Sequence, residues 1–238
     1  MELNCGNLSA TVNDLRHRAR LVAQIRQFFD HRGYLEVETP VMGHYGITDF
    51  YLANVTAFCQ GKTTYLQTSP EYHMKRLLAA GSGPIFQIAR VFRDEELGRW
   101  HNPEFTLLEW YQLDINHHAL MAEVDQFLQA ILHCEPLIKY TYQDVFLRIC
   151  QVDPFTASVV ELQESIRHYN LEQILCTNEQ ERDQYLFLLM SHVIEPKLAQ
   201  ENRPVAVYDF PESQAALARI EQGKAARFEI YYRGVELA

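Results

Sequence analysis

The 238 residues are 47% hydrophobic and 22% charged, a balance that suits a globular chain with one large core and excludes a disordered or fibrous one. A formal net charge of -10 disfavours non-specific nucleic-acid binding, which needs clustered Lys and Arg. No apolar run is long enough for a membrane span and Met1–Ala10 lacks the pattern of a signal peptide, while Cys5, Cys59, Cys134, Cys150 and Cys176 are scattered without a CxxC pair. The expectation is a cytoplasmic protein with reduced thiols, no membrane partner and one domain over residues 1–238.

In chain order, Asn13 or Asp14 is placed to cap a helix whose apolar positions Leu15, Ala19, Val22, Ile25 and Phe29 follow helical spacing to a stop at Gly33. Arg16, Arg18, Arg20 and Arg26 fall on its polar side and read as a solvated face. Tyr34 to Thr39 predicts a strand ended by Pro40. Val55 to Cys59 and Thr64 to Gln67 predict two strands around a turn at Gln60-Gly61-Lys62. Gly61-Lys62-Thr63 is no phosphate-binding loop, because Thr56 stands where the first glycine would be needed, and Gly81-Ser82-Gly83-Pro84 reads as a turn. Between them, Thr68-Ser69-Pro70-Glu71 opens a helix through Ala80, with Ser69 as cap, Pro70 in the first turn and Glu71 against the positive helix end.

The next stretch, Ile85 to Tyr111, predicts two strands joined by a loop at Glu96 to Trp100. Alternation puts Val91, Arg93 and Glu95 on one face of the first strand, and Phe105, Leu107, Glu109 and Tyr111 on one face of the second. Paired antiparallel, they bring a cation, carboxylates and flat rings to one surface, which suits a ligand carrying phosphates, an amine and a base. A hairpin with a solvated charged face fits the periodicity equally well.

Asn116 caps a helix that buries Leu120, Met121, Val124, Phe127, Leu128 and Ile131. His117-His118 at its start has no partner at ligand spacing and reads as surface. Residues 140–200 predict mainly helices, one from Val159 to Tyr169 and one from Asn178 toward Glu195 that Pro196 closes; Val205 to Phe210 predicts a strand ending at Pro211. Finally, a two-residue turn at Arg233-Gly234 sets Tyr231 opposite Glu236, with Glu229 diagonal on the same face. The two carboxylates are either a solvated pair on an edge hairpin or the ligands of a hard cation such as magnesium.

Phe92-Arg93-Asp94-Glu95, a short loop and His101-Asn102-Pro103-Glu104-Phe105 resemble motif 2 of the class II aminoacyl-tRNA synthetases in the form used by lysyl-tRNA synthetases. The helix, Gly33, strand and Pro40 resemble motif 1, through which these enzymes form homodimers. Asp209-Phe210-Pro211 resembles a weaker family segment beside the substrate pocket. The resemblance implies an α+β fold in which an antiparallel sheet is flanked by helices. It further implies that Arg93 is the catalytic contact to the ATP α-phosphate, with Asp94 and Glu95 beside it, that His101 meets the γ-phosphate, and that Phe105 stacks on adenine near Asn102. Ser69, Pro70, Glu71, Glu109 and Tyr111 would line a lysine-type pocket, Glu236 and Leu237 would adjoin ATP, and Glu229 and Glu236 would hold Mg2+. The chemistry implied is attack of a substrate carboxylate on the α-phosphate, giving an adenylate and pyrophosphate.

A lysyl-tRNA synthetase carries an anticodon-binding barrel ahead of this core, and the short lead here has room for only about two strands of 5–6 residues each. The run Thr68 to Arg76 and the final Gly234-Val235-Glu236-Leu237-Ala238 instead resemble the elongation factor P lysyltransferases, which join (R)-β-lysine or lysine to elongation factor P, with no tRNA expected as partner. In that family an Asn-Gly-Phe segment, a substrate-recognising glutamate and motif 3 come after this point, so a chain cut before motif 3 is expected. A fragment of a lysyl-tRNA synthetase and a non-catalytic binding module are the competing readings.

Overall fold

The computed structural model describes residues 10–48, 52–94, 98, 101–174 and 181–238. The chain divides into two compact units, Met1–Asp114 and Ile115–Ala238.

In the first unit, α1 (Val12–Asp30) starts on a capping box. Thr11 Oγ1 accepts from Asp14 N–H, and the Asp14 carboxylate accepts from Thr11 N–H at 2.8 Å. The cap is therefore Thr11, not Asn13 or Asp14. Leu15 and Ala19, expected in the core, are exposed, and Val22 and Ile25 are half-buried. Burial is complete only at Phe28 and Phe29 in the last turn, because spacing identifies an apolar stripe without saying how much of it is covered. Phe29 stacks on Phe86 with centroids 4.6 Å apart and meets Tyr34 and Trp110 at 5.2 Å.

The chain continues through β1 (Leu35–Glu36), β2 (Met42–Gly43), β3 (Thr56–Cys59), β4 (Lys62–Leu66), α2 (Glu71–Ala79), β5 (Ile85–Phe92) and β6 (Glu104–Tyr111). One sheet has the order β1-β5-β6, with β1 parallel to β5 and β5 antiparallel to β6; the other has the order β2-β4-β3. The β3–β4 turn needs only Gln60 and Gly61, both at positive φ (52° and 75°), and Lys62 already pairs with Cys59.

The second unit runs α3 (His117–Leu132), β7 (Ile138–Thr141), α4 (Tyr142–Cys150), α5 (Val159–His168), α6 (Arg182–Leu189), α7 (Glu195–Leu198), β8 (Val205–Pro211), β9 (Ile220–Glu221), β10 (Lys224–Tyr232) and β11 (Val235–Glu236). Asn116 caps α3 as expected, accepting from Ala119 N–H at 2.9 Å. Its sheet has the order β11-β10-β8-β7, with β9 on β10, and is antiparallel except for the β7–β8 pair. The core behind it joins Tyr142, Phe146, Leu162, Ile166, Leu186, Leu189 and Ile194 to Val205, Val207 and Phe210.

The start of the helix predicted from Asn178 falls in residues 175–180, outside those described. Its end is not at Pro196: Met190–Ile194 widens into a π turn and Pro196 sits in the first turn of α7. The wider turn absorbs the hydrogen bond that proline cannot make. Opposite Asp209, the β8–β10 register shifts between Ala225 and Phe228, and Asp209 itself has φ 60°. Two β10 residues thus face one of β8, a bulge that takes Asp209 out of the strand's alternation.

Replacing Phe29 by Ala removes the ring around which Phe86, Tyr34 and Trp110 pack and should cost about 3–5 kcal/mol. The check is a lower urea midpoint of the Trp fluorescence transition; an unchanged midpoint would show that this cluster does not hold the first unit together.

Candidate active site

The β5–β6 register pairs Ile85 with Tyr111, Gln87 with Glu109, Ala89 with Leu107 and Val91 with Phe105. Directly opposed residues share a face, so Glu109, Tyr111 and Phe105 point to one side. Trp110 turns the other way, against Phe29, and Thr106 Oγ1 accepts from the Arg18 guanidinium at 3.0 Å.

Beyond the strand end, the backbone at Arg93 is held on both sides. Phe92 N–H donates to Gln67 O at 2.8 Å, Arg93 N–H to Pro103 O at 2.9 Å and Asp94 N–H to Ala53 O at 2.9 Å. Arg93 Nε donates to the Thr68 carbonyl at 3.4 Å, and the guanidinium lies 5.1 Å from the Phe105 ring centroid. This is a cation directed over an aromatic face. Asp94, His101 and Asn102 are exposed, and Gly98 N–H to His101 O at 3.1 Å narrows the loop. Glu95 and the neighbouring 96, 97, 99 and 100 lie outside the described residues.

The Glu109 carboxylate is oriented by two hydroxyls. Ser69 Oγ donates to Oε2 at 2.6 Å and the Tyr111 hydroxyl donates to Oε1. Ser69 Oγ also accepts from Glu71 N–H at 3.0 Å, the capping contact expected of it, although α2 begins one residue later with Pro70 just before its first turn. Burial pushes the Glu109 carboxyl up; the Ser69 and Tyr111 hydrogen bonds oppose it, Glu71 adds to it and Arg93 offsets it. Burial and the neighbouring Glu109 also raise the Tyr111 phenol, keeping it a donor. Glu71 is paired with the Lys75 ammonium one turn on, so this carboxylate already accepts an alkylammonium group. The arrangement offers oriented carboxylates for an amine and, on the same hairpin, a guanidinium and ring for a phosphate and a base.

In the second unit, the expected hairpin is present: Arg233 and Gly234 take φ 51° and 78°, and Tyr231 stands opposite Glu236. Leu237 follows, exposed. Glu229 is held by the Arg227 guanidinium and the Tyr231 hydroxyl. Glu195, Glu229, Tyr231 and Glu236 line a cavity of about 430 Å³. Burial raises the Glu195 carboxyl, with Glu229 adding to the rise. Glu195, Glu229 and Glu236 bring hard oxygen donors, the kind Mg2+ takes, to one cavity, but their ligand atoms do not converge there closely enough to enclose an ion. The role of Arg227 beside Glu229 was legible, since residues 227, 229 and 231 share a face by alternation; Glu195 comes from a helix and had no local signal.

The His117-His118 reading requires correction, because a third ligand group arrives from far along the chain. His117 Nε2 lies 3.0 Å from Asp209 Oδ1, and one ligand atom from each of His117, His118 and Asp209 falls within a 4.8 Å span. Sequence spacing could not find this, since the bulge at Asp209 creates it.

An α+β fold with this hairpin is that of a class II synthetase-type enzyme core. Residues 7–238 match the family model described as tRNA synthetases class II (D, K and N). The chain is 51% identical over 245 residues to the elongation factor P--(R)-beta-lysine ligase of Haemophilus influenzae (strain PittGG), covering 99% of this chain and 75% of that protein. It is 49% identical over 239 residues to the protein of the same name from Pasteurella multocida (strain Pm70), covering 97% of this chain and 73% of that one. The chain belongs to the class II tRNA synthetase family and, within it, to the group of the elongation factor P--(R)-beta-lysine ligases. Among the described residues no helix is long and apolar enough to cross a membrane, and Cys59, Cys134 and Cys150 are free thiols.

Because burial raises Glu109, the folded unit holds its proton to higher pH than the unfolded chain does. The stability from this group is complete below the ordinary carboxylate range and is lost as pH climbs through the raised folded value. Glu109→Gln cannot titrate, so wild type should lose stability relative to the variant as pH rises from about 4, the unfolded carboxylate range. Urea unfolding of both proteins across pH checks this; a pH-independent difference would remove Glu109 as the titrating group.

Proposed function

We propose that this protein uses ATP and Mg2+ to activate (R)-β-lysine or lysine as an adenylate, and transfers it to a lysine of elongation factor P. The observation that carries the reading is the Glu109 carboxylate, set by Ser69 and Tyr111 on the face that also carries Arg93 and Phe105. The name borne by these relatives supports the acceptor and the amino acid.

In this reading Glu71 and Glu109 receive the two ammonium groups of the substrate, exchanging Lys75 for one of them. Ser69 and Tyr111 keep Glu109 oriented, and Pro70 fixes the start of α2 that carries Glu71. In the first unit Arg93 neutralises the α-phosphate, Phe105 stacks on adenine with Glu95 and Asn102 beside it, and Asp94 and His101 complete the nucleotide contacts; in the second unit Glu236 and Leu237 are the residues proposed to adjoin ATP. Glu229 and Glu236 would hold Mg2+, which when bound would supply neutralising charge to the phosphates. The attacking carboxylate is ionised at neutral pH, so positioning and charge carry the first step without a general base. In the second, a neutral lysine ε-amine of the acceptor attacks the adenylate carbonyl; an amide forms, the amine loses a proton and AMP leaves. In this reading residues 1–238 act as one cytoplasmic catalytic domain that dimerises through α1 and β1. A net charge of -10 supports a protein acceptor over tRNA.

In a form carried to the full length of its relatives, ATP–pyrophosphate exchange should depend on lysine or β-lysine, and Arg93→Ala should lower it roughly 100-fold or more, as for loss of one transition-state donor. Near-normal exchange in that variant would refute the assigned ATP contact. Offered elongation factor P and total tRNA with ATP and β-lysine, the enzyme should add the mass of one β-lysyl group to the protein and leave tRNA uncharged. Charged tRNA with unmodified protein would make it a lysyl-tRNA synthetase.

A further inference from the structure

The geometry points to a binding site for a first-row divalent metal ion, Zn2+ foremost, formed by His117, His118 and Asp209 in the second unit. Asp209 occupies a left-handed conformation (φ 60°) at the β8 bulge, and its carboxylate meets the first turn of α3. A non-glycine residue in that region carries strain that the surrounding structure must impose. There it lies 3.0 Å from His117 Nε2, while the His117 and His118 rings are 4.0 Å apart by centroid and Tyr208 stands edge-on to His118 at 5.3 Å.

The ligand chemistry selects the ion. Two imidazoles and one carboxylate suit Zn2+ or its neighbours and not Mg2+, which prefers oxygen alone. Tetrahedral bonds of about 2.0–2.2 Å put ligand atoms roughly 3.4 Å apart, so the present span of at most 4.8 Å needs a closure that side-chain rotation provides. Water would fill the fourth position. The start of α3 opposes a bare cation, and the Asp209 carboxylate supplies the compensating charge. On metal binding His117 Nε2 would exchange its contact with Asp209 for the ion, and the carboxylate would turn onto the same ion. His117 is mostly buried and His118 exposed, so the site has one anchored ligand and an open entry. A bound ion would tie the start of α3 to the β8 bulge, independently of the ligase reading.

The test is calorimetric titration of the protein with Zn2+, repeated with Co2+ to read its visible absorption on binding. One ion per chain is expected, with a rise in Tm of several degrees at saturating metal. His118→Ala, at an exposed position, and Asp209→Asn, which tolerates positive φ, should each weaken binding at least about 10-fold. His192→Ala, off the site, should leave it unchanged. No saturable uptake overturns the proposal, as does uptake that survives His118→Ala or is lost only with Glu229→Gln. Should Asp209→Asn fail to fold, by circular dichroism, the His118→Ala result decides.

Discussion

The antiparallel register of β5 and β6 is the constraint on which the first unit depends. Eight consecutive pairs, from Ile85 with Tyr111 to Phe92 with Glu104, leave no freedom to slide. A shift of one residue would send Glu109 toward the Phe29 cluster and bring Trp110 to the polar side. The stack of Phe29 on Phe86 makes that slip costly, so a hydrophobic contact on one face holds the chemistry on the other. The three backbone hydrogen bonds around Arg93 extend the same control past the end of the strand, where alternation alone no longer applies.

Both units orient a carboxylate in the same way. In β6 Tyr111 donates to Glu109, and in β10 Tyr231 donates to Glu229, each reaching a residue two positions earlier on its own face. Burial and the adjacent carboxylate raise both phenols, so neither competes as an anion. A second donor differs between them: neutral Ser69 for Glu109, cationic Arg227 for Glu229. The first leaves a carboxylate whose proton is held to higher pH. The second keeps company with Glu195 and Glu236 around a cavity, with the Arg227 guanidinium as its counter-charge.

Where local rules misplaced an element, tertiary packing or a neighbouring hydrogen bond overrode them. Thr11 and not Asn13 caps α1, because its hydroxyl and backbone close a reciprocal pair with Asp14. Pro196 does not end its helix, because a π turn relieves the missing donor. His117 is not a plain surface residue, because Asp209 leaves the strand pattern at a bulge and comes to meet it, while His118 beside it is exposed as expected.

The amino-acid sequence alone determined which residues share a strand face, where Arg233 and Gly234 turn the last hairpin, and which family motif lies between Phe92 and Phe105. Those properties follow from the two-residue period of a strand, the sterics of positive φ and the order of neighbours, all of which are local. Only the tertiary structure decided that Ser69 would orient Glu109 from 40 residues away, that Asp209 would reach His117 across 92, and that Glu195 would join Glu229. Such contacts depend on how whole elements pack, on where a bulge falls and on which part of an apolar helix is covered. No short window of sequence encodes them, because each is settled by surfaces that meet only once the chain has folded.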